Sequence, residues 1–178
     1  LDVDNTAMLR KLAEQTGLTV NALLMAAWAI LLHRYSGEDD VLFGATRACR
    51  KSSIEHGEET IGLFMNTVPI RVRLSGHNSA IDVAQRIRQQ WLDIRPHEHN
   101  PLALVKALSD VPPGQSLFDS LVVFEHHRLD DVMRSLNGKW THREVELHEL
   151  TSFPITLAAY DGDRLSLKIG FHPRLFDE

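Results

Sequence analysis

Four places in the sequence carry side chains able to do chemistry. In His126-His127-Arg128-Leu129-Asp130-Asp131 two imidazoles stand close to a carboxylate, and a histidine held by a carboxylate can take a proton from an attacking amine. The run also follows the apolar stretch 121–124 directly, as a solvated loop would, and we read it that way, with no catalytic residue assigned. Asn66 is followed by Thr67 at the head of an alternating segment. An amide both donates and accepts hydrogen bonds, so Asn66 can orient a reacting group or satisfy backbone at the start of a strand, and both readings stand. Thr67 reads as a strand residue. Ser152 offers a hydroxyl between Thr151 and Phe153, in a position where serine is also a turn former.

His97-Glu98-His99 is the one cluster with the look of a metal site. Two histidines two residues apart do not make a tetrahedral set, and no third ligand stands at motif spacing, so no metal is expected. A capping or loop-ordering role beside Pro101 is the better reading. No GxxxxGK[ST] or GxGxxG run is present, so nucleotide binding has no support in this chain and no bound cofactor is expected.

These residues need a scaffold, and composition says which kinds are open. At 43% apolar and 24% charged residues over 178 positions, with a net charge of -5, the chain suits one compact domain with a buried core. The scattered Lys and Arg residues form no basic stripe, which argues against nucleic acid. Cys49 is the single cysteine, so no internal disulfide forms, and a reducing compartment, the cytoplasm, is the expected location. The longest apolar run, 22–32, spans about 16 Å as a helix, short of a membrane core of about 30 Å.

Along the chain, Asp4 is expected to cap a helix with Met8, Leu9, Leu12 and Ala13 at helical spacing and Gly17 as its stop. Thr19 precedes a second helix over 20–35, apolar nearly all round and therefore central. Residues 41–45 suit a buried strand, and the polar, aperiodic stretch 46–60 a mobile loop. Val68, Ile70, Val72 and Leu74 alternate with Pro69, Arg71 and Arg73, which predicts a half-buried strand whose proline sits at an edge or bulge. Ser79 caps a helix, and Asn100-Pro101 opens a short one through Leu108. Strands follow at 118–124, around Val145 and Leu147, and in a hairpin about Asp161-Gly162. The order predicts an α/β (α+β) fold: a mixed sheet with packed helices. The chain has no initiator Met, and Phe176-Asp177-Glu178 stands where an acidic first turn would open another helix, so a fragment of something longer is expected.

Ile61-Gly62-Leu63-Phe64-Met65-Asn66-Thr67 resembles the (I/V)GxFVNT motif of nonribosomal peptide synthetase condensation domains, with Met65 in place of valine. In the same order, Leu32-His33-Arg34-Tyr35-Ser36-Gly37 with Asp39-Asp40-Val41 resembles the HRYSG…DDV segment, and Phe43-Gly44 to Arg50 the FG…R loop. His97-Glu98-His99-Asn100-Pro101 is similar to HQDYP. Leu117-Phe118 with the strand after it is similar to NPLF, with Gln115-Ser116 where Asn-Pro is usual. Phe153-Pro154-Ile155 through Leu175-Phe176-Asp177 is similar to the closing hairpin.

The resemblance implies one lobe of a chloramphenicol-acetyltransferase-like pseudo-dimer, residues 1–178 being the C-terminal lobe without its N-terminal partner. It implies amide-bond formation between thioesters held on the phosphopantetheine of donor and acceptor carrier proteins, in a tunnel between lobes. The HHxxxDG histidine belongs to the N-terminal lobe; Val132 replaces the glycine in the run at His126. Asn66, Thr67 and Ser152 are the residues expected at the tunnel. Expected partners are the N-terminal lobe, both carrier proteins and a neighbouring adenylation domain, which supplies the ATP chemistry. Other readings are a non-catalytic interface domain, a lobe of an epimerisation or cyclisation domain, and a free-standing acyltransferase using His126 or His127.

Overall fold

The computed structural model describes residues 1–49, 56, 59–76, 78–125 and 151–176. Three helices and two strands come first. α1, Val3–Gln15, is capped by Asp2, whose carboxylate accepts the Asn5 N–H at 2.7 Å. The cap is thus Asp2 rather than Asp4: Asp4 lies inside the first turn, where its charge favours the helix N-terminus. At the other end Gly17, with φ +64°, lets its own N–H reach Glu14 O and that of Leu18 reach Ala13 O, closing a Schellman turn. α2, Val20–Ser36, runs from a Thr19 cap to Gly37 in the left-handed conformation. Ala22, Leu24, Met25, Ala26, Trp28 and Ala29 are buried along it, as a helix without a polar face requires.

β1, Asp40–Ala48, pairs antiparallel with β2, Met65–Arg73, from Asp40 opposite Arg73 to Ala48 opposite Met65. The strand therefore takes in Thr46, Arg47 and Ala48, which the sequence suggested were loop; their polarity belongs to the end of a strand and not to a break in it. Arg50 and most of 51–58 lie outside the described residues. α3, Ala80–Asp93, begins with a capping box in which Ser79 and Asp82 each bond the other's backbone N–H. The Ser79 hydroxyl, donating to Asp82 Oδ2 at 2.8 Å, and after it the Ser79 N–H lower the Asp82 carboxyl pKa. A 3₁₀ turn, Arg95–His97, leads to α4, Leu102–Ala107. Asn100 does not cap α4: Pro101 holds that position without a side-chain bond, and the Asn100 amide donates to His97 O instead.

β3, Ser120–Glu125, β4, Ile155–Asp161, and β5, Leu165–Phe171, complete a five-stranded mixed sheet in the order β2-β1-β3-β4-β5. β3 is parallel to both β1 and β4, while β4 and β5 form the hairpin expected about Asp161-Gly162. The strand read around Val145 and Leu147 lies outside the described residues.

Alternation along the strands sends Val41, Phe43, Ala45, Val68, Ile70, Val72, Val122, Leu157 and Ala159 into one core with α2 and α3. Trp28 fixes α2 to the sheet by donating its indole N–H to Ser120 Oγ at 3.2 Å. No single helix among the described residues is long and apolar enough to cross a membrane.

The two sheet edges differ. On β2 the odd residues turn their backbone outward, and Pro69 has no N–H to offer there. The Thr67 N–H goes to Asn66 Oδ1, the Gln90 side-chain amide bonds both the N–H and the C=O of Arg71, and Arg86 donates to Arg73 O. On β5 the outward groups of Leu165 are taken by Thr6 and the N-terminus. Those of Leu167, Ile169 and Phe171 have no hydrogen-bond partner among the described residues, and their side chains are exposed.

Candidate functional site

Asn66 sits at the head of β2, opposite Arg47 at the far end of β1. Its Nδ2 donates to two carbonyls of the α3–α4 turn, Glu98 O at 2.7 Å and Asn100 O at 2.8 Å. Its Oδ1 accepts the Thr67 N–H at 2.9 Å. Both hydrogens and one lone pair are thus engaged by backbone, leaving one acceptor direction on Oδ1. Thr67 lies beside it, half-buried, with its methyl toward Gly44 and the Phe118 ring.

Sequence reasoning missed what the turn holds. Glu98, read there as part of a histidine cluster, is 0% exposed, and its carboxylate accepts a hydrogen bond from Arg47 Nε. Arg47 also donates from Nη1 to Trp91 O at 2.5 Å and lies over the Trp91 ring, 4.5 Å from its centroid. Trp91 O is among the last carbonyls of α3, which have no helical partner and attract a cation. His97 and His99 are exposed on either side of this carboxylate. Among the described residues no three His, Cys, Asp or Glu side chains converge as a metal requires. The only advance signal for Glu98 was its place inside the His97–Pro101 motif.

Cys49 completes the cluster. Its thiol is buried and donates to Glu98 O at 3.4 Å. Burial pushes its pKa up, the Glu98 charge adds to that, and Arg47 opposes it.

Ser152 is elsewhere. It is exposed ahead of β4, whereas Asn66 lies level with the other end of β4 by register. With strands about 4.8 Å apart and residues about 3.3 Å apart along them, the separation is about 14 Å across the sheet and at least about 13 Å along it. The structure therefore joins Asn66 with Thr67 and leaves Ser152 apart. Thr151 and Phe153, on either side of Ser152, line a hollow of about 610 Å³ with Thr156, Tyr160, Lys168 and Arg174. The run from His126 to Asp131 lies outside the described residues.

Comparison with known proteins gives these positions a context. A family model described as the condensation domain matches residues 1–178. A linear gramicidin synthase of Brevibacillus parabrevis is 41% identical over 171 residues, covering 95% of this chain and 3% of that protein. Chondramide synthase cmdD of Chondromyces crocatus is 37% identical over 162 residues, 91% of this chain and 4% of that protein. Among solved structures, the condensation domain of the Monacolin K polyketide synthase MokA superimposes with a TM-score of 0.77 at 17% identity, over 99% of this chain and 41% of that one. The first condensation domain of the calcium-dependent antibiotic synthetase, in complex with a substrate analogue, gives 0.71 at 16% identity, over 99% and 38%. The chain thus spans a few per cent of these two curated relatives and about two-fifths of these solved chains, and its mixed sheet with packed helices is their fold. From the family model across all 178 residues and the relatives above 30% identity, the chain belongs to the condensation-domain family of nonribosomal peptide synthetases.

Proposed function

We propose that residues 1–178 are the C-terminal lobe of a condensation domain that forms a peptide bond between two carrier-bound thioester substrates. The observation that carries the reading is the meeting of two motifs in one place: Asn66 of Ile61–Thr67 is hydrogen-bonded to the turn of His97–Pro101. The motifs are therefore parts of one wall, formed where the parallel strands β1 and β3 end, the end at which open α/β sheets bind their ligands. Asn66 and Thr67 line the tunnel from that wall, and Ser152 contributes from the opposite end of the sheet.

The lobe supplies no general base in this reading. An amine loses its proton to a group within hydrogen-bond reach, and that group is a histidine of the N-terminal lobe. The parts contributed here are tunnel shape, orientation and a docking surface for the carrier proteins, whose phosphopantetheine arms deliver donor and acceptor. The partners are the N-terminal lobe, the two carriers and an adjoining adenylation domain, in a cytoplasmic synthetase.

The test is single-turnover product formation by the parent synthetase with both carriers loaded, beside residues 1–178 alone. Amide product from the parent and none from residues 1–178 is expected. Turnover by residues 1–178 alone would place a base within them, and absence of product from the loaded parent would remove the enzymatic reading.

A further inference from the structure

The turn between α3 and α4 contains a charge that the proposed reaction does not call for. Glu98 is fully buried and Arg47 nearly so, with its side chain 10% exposed. Desolvating such a pair costs more than packing apolar side chains of the same volume, so stability alone does not explain it. What the pair has that an apolar pair lacks is direction. A guanidinium is a planar fork with donors at fixed angles, and here the fork joins three elements. Nε meets Glu98 in the turn, Nη1 meets Trp91 O in the last turn of α3, and the residue itself belongs to β1, opposite Asn66.

The turn backbone is held just as closely. His97 O accepts from Asn100 Nδ2, Glu98 O from Asn66 Nδ2 and Cys49 Sγ, and Asn100 O from Asn66 Nδ2. With these carbonyls and the carboxylate engaged, the turn has one register against β2. A slide of one residue would break several of these bonds together and turn the Asn66 amide away from the Thr67 N–H.

We propose that Arg47 and Glu98 are positioning residues for condensation: they lock the 97–100 turn against the head of β2 and so set the orientation of Asn66, without touching substrate. The proposal rests on the condensation reading above. It places the effect on the chemical step and not on carrier affinity.

The experiment compares the parent synthetase with Arg47→Met, Glu98→Leu, the double variant and Arg47→Lys. It reads Tm, hydrogen exchange of segments 64–68 and 95–101, the single-turnover rate and the KM for each carrier. Each apolar single variant lowers Tm because it leaves one buried charge unpaired. The double variant is expected to regain most of that Tm. Its exchange over 95–101 should stay at least about tenfold faster than wild type and its rate about tenfold lower, with carrier KM within about twofold; such a rate loss corresponds to about 1.4 kcal/mol.

Recovery of exchange protection and rate together with Tm would overturn the proposal and leave the pair a space-filling feature. Should the double variant fail to fold, Arg47→Lys decides, since it keeps the charge and gives up the fork: faster exchange and a lower rate near wild-type Tm support positioning, and no change in either overturns it. Absence of condensation by wild type would sink the condensation reading alone, because exchange over 95–101 still tests whether the pair fixes the turn.

Discussion

Gly44 of β1 lies directly under the ring of Phe118: a Cβ on Gly44 would stand 2.3 Å from Phe118 Cε2 and 3.0 Å from Thr67 Cγ2. Phe118 is itself buried and stacks on Phe153, with centroids 5.3 Å apart. The segment before β3 is therefore seated on β1 through a contact that only glycine permits.

Gly44→Ala should accordingly destabilise the fold. The ring cannot retreat without unstacking from Phe153, and overpacking of this kind typically costs about 1–3 kcal/mol. A denaturant melt is expected to show a lowered midpoint with unchanged slope. An unaltered midpoint would mean that Phe118 has another place to go.

Asn66 should tell donors from acceptors. Asn66→Ala removes two hydrogen bonds to half-buried carbonyls; Glu98 O keeps the Cys49 thiol, while Asn100 O loses the Asn66 donor, and an unsatisfied buried group costs about 1–3 kcal/mol. Asn66→Asp goes further, since it aims a carboxylate at Glu98 O and Asn100 O in place of an NH₂. The expected order of Tm is wild type, then Ala, then Asp. In the parent synthetase, the Ala variant should lose about tenfold in single-turnover rate without being abolished. An Asp variant as stable as wild type would show that the turn carbonyls do not depend on this side chain.

Cys49 should be a poor nucleophile. Only the thiolate reacts, and burial together with the Glu98 charge raises its pKa. Labelling by a disulfide reagent near pH 8 should be slow in the native protein and fast in denaturant, with one equivalent taken up. Rapid native labelling would place the thiol at the surface.

Asp40 links stability to pH. Arg71 hydrogen-bonds its carboxylate and Arg73 adds to this, which lowers its pKa from 3.8 to about 2. A carboxyl whose folded pKa lies below its unfolded value adds stability that is fully present above about pH 4 and is lost as pH falls through about 2. The site is exposed, so salt screens it and the effect is small. Asp40→Asn should lower Tm slightly at pH 7 and by less at pH 2, with the difference shrinking at high salt. A pH-independent difference would point to packing instead.

The sequence carried the local rules well. Thr19 and Ser79 open their helices and Gly17 closes one as their side-chain and backbone chemistry requires, Pro69 lies on an edge strand, and Asp161-Gly162 turns the hairpin. The two misread caps, Asp4 for Asp2 and Asn100 for Pro101, lie one or two residues from the observed ones, the span over which a helix boundary is not fixed by local chemistry. Arg47 and Glu98 were hidden for a different reason. Periodicity reports which face of an element is apolar, but a buried charge pair 51 residues apart leaves no periodic trace, and burial alone turns polar residues into a core feature. Ser152 and Asn66 share only the expectation, drawn from the resemblance, that both face the tunnel. Only the register of four strands shows that they stand at opposite ends.

The unequal edges of the sheet give the lobe a direction of growth. At β2 a proline, two side-chain amides and an arginine already occupy several of the places where another strand would bond, so approaching backbone finds a broken ladder there. At β5, outward peptide groups at Leu167, Ile169 and Phe171 stand beside exposed apolar side chains, the arrangement on which polypeptides template one another. When residues 1–178 are handled as an isolated piece, self-association should therefore start from β5 in one polarity only, and Ile169→Lys should suppress it where charges added along β2 would do nothing.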